Sequence, residues 1–85
     1  MGAGLSRPGS RKLTYKEKQD LARLPQLIEG MEREQQQLNE AVASPGFYKE
    51  TADAIHTTLA RLEVLQQALL DAYARWDELD SRSGN

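Results

Sequence analysis

Two runs of largely apolar residues, each stepping by 3 and 4 without a slip, flank Ser44-Pro45-Gly46 and decide what this chain can become. The first run is Leu21, Leu24, Ile28, Met31, Gln35, Leu38 and Val42, with Gln35 as a polar member that fixes register. The second is Ile55, Thr58, Leu62, Leu65, Leu69, Ala72, Trp76 and Leu79. Such steps line every member along one side of an α-helix, the pattern of helices that pack seam against seam. Leu59, Gln66 and Tyr73 stand beside the second seam and are expected to broaden it. From Leu13 onward the composition is Leu, Glu, Gln, Ala, Lys and Arg, all good helix formers. Thr14 and Glu17 fit a capping box at a helix start, and Thr51 is a second cap. Ser44 with Pro45 suits the start of a short turn through Phe47 and Tyr48. The expected elements are a helix over about 15–43, a turn over about 44–51 and a helix over about 52–80.

A turn of about eight residues cannot carry the chain back along a long helix, so the two helices must run antiparallel. If facing residues have numbers adding to 97, Val42 meets Ile55, Gln35 meets Leu62, Ile28 meets Leu69 and Leu21 meets Trp76. Every layer then holds a large apolar side chain. The expected fold is all-α, an antiparallel two-helix coiled-coil hairpin over 12–81, with the first helix kinked or broken near Pro25. Residues 1–11, rich in Gly, Ser and Pro, read as a disordered linker or an expression-vector remnant, and 82–85 as a disordered tail.

The same residues exclude most chemistry. Cysteine is absent and His56 is the one histidine, so neither disulfides nor a familiar metal site is expected. No nucleophile is built around His56, and no Gly-rich phosphate loop occurs, so no catalytic residue is assigned. Asp77, Glu78 and Asp80 read as a solvated face at a helix end, while Glu29 with Arg33 and Asp71 with Arg75 read as supporting i, i+4 pairs. No apolar run approaches the roughly 18 residues of a membrane span and no secretory signal opens the chain, which makes the cytoplasm the expected compartment. Phe47 and Tyr48 at the turn either close the core or present an aromatic contact to a partner.

Charge is the one functional cue. The net charge of −2 hides six basic against two acidic residues in 1–23, and five against eleven in 24–85. Arg11, Lys12, Lys16, Lys18 and Arg23 gather on and before the first helical turns, and Lys12, Lys16 and Arg23 have the spacing of one helix face. Such side chains neutralise phosphates without reading bases. The competing explanation is a solvated face on an exposed helix.

Lys12-Leu13-Thr14-Tyr15-Lys16-Glu17, then Leu21 and Leu24-Pro25 with Ile28, Phe47-Tyr48 and Arg75-Trp76-Asp77-Glu78-Leu79, in that order and spacing, resemble the C-terminal domain of ABC-F ATPases of the Uup type. Ser44 and Gly46 depart from it where the family often carries acidic residues. The resemblance implies a coiled-coil hairpin on a basic linker, in a parent with two ATP-binding cassettes and no transmembrane domain. ATP and Mg would be bound by those cassettes, so no cofactor is expected in this chain. It further implies DNA binding through the matching basic positions, chiefly Lys12 and Lys16, and a wider family role on ribosomes, with ribosomal RNA as the other candidate ligand. The rival is a protein-interaction or spacer hairpin that positions the parent ATPase on the ribosome. A third reading is a homodimerising segment, although a monomer is expected.

Overall fold

The computed structural model describes residues 12–83, in which α1 spans Tyr15–Ala43 and α2 spans Ala52–Ser83, joined through a single 3-10 turn, Phe47–Lys49. The expectations for 1–11 and for residues 84 and 85 lie outside the described residues, and Arg11 with them. Among the described residues there is no strand, and α1 packs along α2 as an antiparallel hairpin.

Each helix starts where its side chains satisfy its first amides. Thr14 Oγ1 accepts from the Glu17 N–H at 3.1 Å, and Glu17 Oε1 accepts from the Thr14 N–H at 2.9 Å, the complete capping box. Thr51 Oγ1 accepts from the Ala54 N–H at 3.1 Å and opens α2 in the same way. At the turn the structure corrects the expected role of Ser44. It closes α1 as the C-cap, its N–H donating to the Ala41 carbonyl, and its hydroxyl caps nothing that follows.

Helix α1 runs through Pro25 without interruption, so the alternative of a broken helix does not hold. Proline leaves the carbonyl four residues back, that of Leu21, without its intrahelical donor. Pro25 itself is exposed, although it flanks the seam, four residues after the half-buried Leu21 and three before the buried Ile28. Every residue of both seams is buried or half-buried. Leu24, Ile28, Leu69, Ala72 and Leu79 form one contiguous cluster, against which Leu13, Leu21, Met31 and Trp76 pack. Cross-helix ion pairs fix the register independently of the apolar residues. Arg61 with Glu34, Arg75 with Asp20 and Arg82 with Glu17 have numbers adding to 95, 95 and 99, which brackets the expected 97.

The seam is broadened on the side opposite to the one expected. Leu59, Gln66 and Tyr73 are exposed, whereas Ala68, Arg75 and Arg82 on the other flank are half-buried. Helix α2 also continues through Arg82 and Ser83, beyond the end near residue 80 that the periodicity predicts. The reason is Arg82 itself, whose side chain is only 9% exposed and lies across the end of α1 with Nη2 2.6 Å from Glu17 Oε2. At the opposite end Phe47, 7% exposed, plugs the hairpin, and its ring meets that of Tyr48 edge to face at 4.8 Å.

Candidate nucleic-acid interface

Four of the sequence-predicted cations, Lys12, Lys16, Lys18 and Arg23, are exposed at the open end of the hairpin. They do not form one face. Helix α1 begins at Tyr15, so Lys12 precedes it and the helical spacing does not apply there. Lys16 and Arg23, seven residues apart, do share a face. Lys18 lies about 200° round the helix from Lys16. It lines a groove of about 390 Å³ with Lys12 and Arg82 above an apolar floor of Leu13 and Leu21. Arg23 borders a second groove, of about 290 Å³, with Asp20, Leu27 and Arg75.

The antiparallel return changes the electrostatics that the sequence suggests. Helix α2 brings Arg75, Asp77, Glu78, Asp80 and Arg82 back beside the basic first turns. Residues 12–23 and 75–83 together hold six cations against five carboxylates, so this end is not a block of uncompensated positive charge. What distinguishes it is which charges are already answered. Glu17 faces Arg82, Asp20 lies 3.7 Å from Arg75, and Glu78 lies 3.2 Å from Arg75. Lys12, Lys16, Lys18 and Arg23 have no side-chain hydrogen bond or ion pair among the described residues. Four cations are therefore free to meet an external anion.

The Arg82–Glu17 pair anchors this end. The Thr14 N–H first, and the Arg82 guanidinium second, hold the Glu17 carboxyl below the usual carboxylate range. The contact is a close ion pair rather than an aligned hydrogen bond, since Nη2 and Nε of Arg82 are shut off from solvent without an acceptor in bonding geometry. Farther along, Arg61 grips Glu34 through two bonds of 2.7 and 2.8 Å, which depresses the Glu34 carboxyl and raises the arginine. Heptad spacing unites these contacts, because Arg61, Arg75 and Arg82 recur every seven residues or a multiple of seven on one flank of α2. Sequence reasoning paired Arg75 with Asp71, whereas Asp71 accepts instead from Gln67 at 3.0 Å. The signal for the cross-helix pairing was present in the spacing of Glu34 and Asp20, fourteen apart like Arg61 and Arg75. The Glu29–Arg33 pair forms as expected, at 3.6 Å.

The tip residues divide. Phe47 is used up in closing the core, and Tyr48, 66% exposed, alone offers an aromatic surface there. His56 is exposed, and among the described residues no group of three or more His, Cys, Asp or Glu side chains is placed to hold a metal ion. No described helix is long and apolar enough to cross a membrane.

Residues 12–81 match the ABC transporter C-terminal domain family. Among curated proteins the chain is 36% identical over 77 residues to an ATP-binding protein Uup-like and, to the same degree, to an ATP-binding protein Uup, both of Haemophilus influenzae. It is 33% identical over 72 residues to the ATP-binding protein Uup of Escherichia coli K12. These matches take in 91%, 91% and 85% of this chain but only 17%, 12% and 11% of the relatives. No solved structure matches it.

Proposed function

The chain belongs to the ABC transporter C-terminal domain family, and from that premise we propose that it is a non-catalytic nucleic-acid-binding hairpin, an appendage of a Uup-like ABC-F ATPase. The relatives are ATP-binding proteins many times longer than this chain. ATP and Mg belong, on this reading, to cassettes outside it, and those cassettes are its partners within the full-length protein. The setting is cytoplasmic, and DNA is the first ligand to test, with ribosomal RNA the second.

The observation that carries the reading is the set of free cations. Lys12, Lys16, Lys18 and Arg23 are exposed and unpaired, whereas the neighbouring arginines Arg75 and Arg82 are committed to carboxylates of the hairpin. Exposed lysines and an arginine can each neutralise a phosphate, and none needs to reach a base edge. Because the four lie on two sides of α1, two to four phosphate contacts are expected, a slope of log affinity against log salt of about −1.8 to −3.6 for duplex DNA.

Fluorescence anisotropy against duplex DNA, single strands and structured RNA, over a series of salt concentrations, tests this. Each Lys→Ala change should weaken binding alike for all sequences and reduce the slope by about one. Unchanged affinity in the Lys12→Ala, Lys16→Ala double variant would sink the proposal. The rival, a spacer whose tip contacts a protein, draws on the exposed ring of Tyr48. It predicts that Tyr48→Ala, and not the lysine changes, abolishes association with the ribosome.

A further inference from the structure

The flank of α2 away from the arginine pairs carries a different chemistry. Tyr73, Trp76, Asp77 and Asp80 follow one another at the i, i+3, i+4, i+7 positions of one helix face and line a groove of about 210 Å³. The two rings lie nearly parallel, 22° apart in plane with centroids at 6.4 Å. Both are held in place. Trp76 packs against the core cluster, and the Tyr73 hydroxyl donates to Glu32 Oε2 on the other helix, where the carboxylate pushes the phenol pKa up. The aromatic surface therefore exists before any ligand arrives, and ordering it costs a partner little.

The carboxylates beside it are unanswered. Glu17, Asp20, Glu29, Glu34 and Glu78 all have an arginine of the hairpin within ion-pair distance. Among the described residues the carboxylates of Asp77 and Asp80 have neither an ion pair nor a hydrogen bond. Glu40, Glu50, Asp53 and Glu63 share that state, but Asp77 and Asp80 line the groove with the stacked rings. An aromatic face attracts a cation through its quadrupole, and a guanidinium can stack flat on a ring while its edge N–H groups reach a carboxylate. An ammonium makes the second contact but not the first as well.

We infer that the Tyr73–Trp76–Asp77–Asp80 groove is a receptor for an arginine side chain presented by a basic segment of a partner protein. Complementary charge and a preformed aromatic surface select this occupant. The inference does not rest on the nucleic-acid reading, since it uses none of the free cations and lies on another flank.

Trp76 is the one tryptophan of the chain, so its fluorescence reports occupancy directly. The intact chain is titrated with a short Gly-Arg repeat peptide and with its citrulline counterpart, which keeps the shape and loses the charge. The expected result is a saturable change in Trp76 emission with the arginine peptide and none with citrulline. Asp77→Asn combined with Asp80→Asn should weaken that binding roughly 2- to 30-fold, the range that two exposed ion pairs span. Both aspartates are exposed, so circular dichroism should show an undisturbed hairpin. An equal response to the two peptides, no response to either, or full affinity in the double variant would overturn the assignment. A change in emission with protein concentration alone would also overturn it, since the occupant would then be a second copy of the chain.

Discussion

Replacing Leu79 by Ala tests whether the end of α2 is a folded part of the core or a fraying terminus. Leu79 stands four residues before the last described residue, yet it is 0% exposed, enclosed in the cluster against which Leu13 and, from α1, Leu21 pack. The substitution removes three buried carbon groups, worth about 2.4 kcal/mol at roughly 0.8 kcal/mol each. Incomplete collapse of the resulting cavity brings the expected loss to about 2.5–4 kcal/mol. Leu70→Ala on the same helix is the control. Leu70 is 59% exposed, so most of its surface is already in water and its loss should stay below about 1 kcal/mol. Urea unfolding followed by circular dichroism, with a slope of roughly 1 kcal/mol per molar for a small chain, should place the Leu79→Ala midpoint about 2.5–4 M lower. Equal midpoints for the two variants would refute the reasoning, since the last turns of α2 would then contribute nothing to the fold.

Gly30 lies inside α1 where an added Cβ meets nothing within 4 Å, so Gly30→Ala should raise stability by about 0.8–1 kcal/mol and the melting temperature by several degrees. Phe47→Ala should cost about 3 kcal/mol or more in denaturant unfolding, whereas Tyr48→Ala should cost under about 0.5 kcal/mol, because only the first ring is buried. The folded-state pKa of Glu17 is depressed, so its contribution to stability is complete above the ordinary glutamate value of about 4.3. That contribution is lost as pH falls through the lower folded value, since the unfolded chain takes up the proton first. Glu17→Gln should therefore flatten the acid limb of the stability curve, measured by thermal melts from pH 6 down to pH 2.

The seams were legible because a 3–4 step survives any choice of neighbouring side chains, and one antiparallel register satisfied Ile28 with Leu69 and Leu21 with Trp76 together. Helix α1 was legible at both ends for a local reason, a capping box at Thr14 and a Ser-Pro-Gly break after Ala43. What escaped was set by contacts between the helices. Arg82 read as tail because its partner Glu17 lies 65 residues away in sequence. Arg75 read as a partner of Asp71 because a pair on one helix is visible without a register, whereas the pair with Asp20 is not. The candidate interface was half legible. Its cations could be named from composition, but their division between two sides of α1 depended on where the helix begins. The return of Asp77, Glu78 and Asp80 to the same end depended on the hairpin.

Glu17 belongs to two structures at once, accepting the Thr14 amide that starts α1 and facing the guanidinium that ends α2. Mechanically this makes a clasp. The chain entering the hairpin and the chain leaving it are tied at a shared carboxylate, and the far end is closed by Phe47, so a torque on either connection turns both helices together. With α1 about 44 Å long at 1.5 Å per residue, a rotation of 10° at the clasp sweeps the Tyr48 tip through roughly 8 Å. The hairpin is thus geared as a lever, turning small angular changes at its base into displacements of molecular size at its tip.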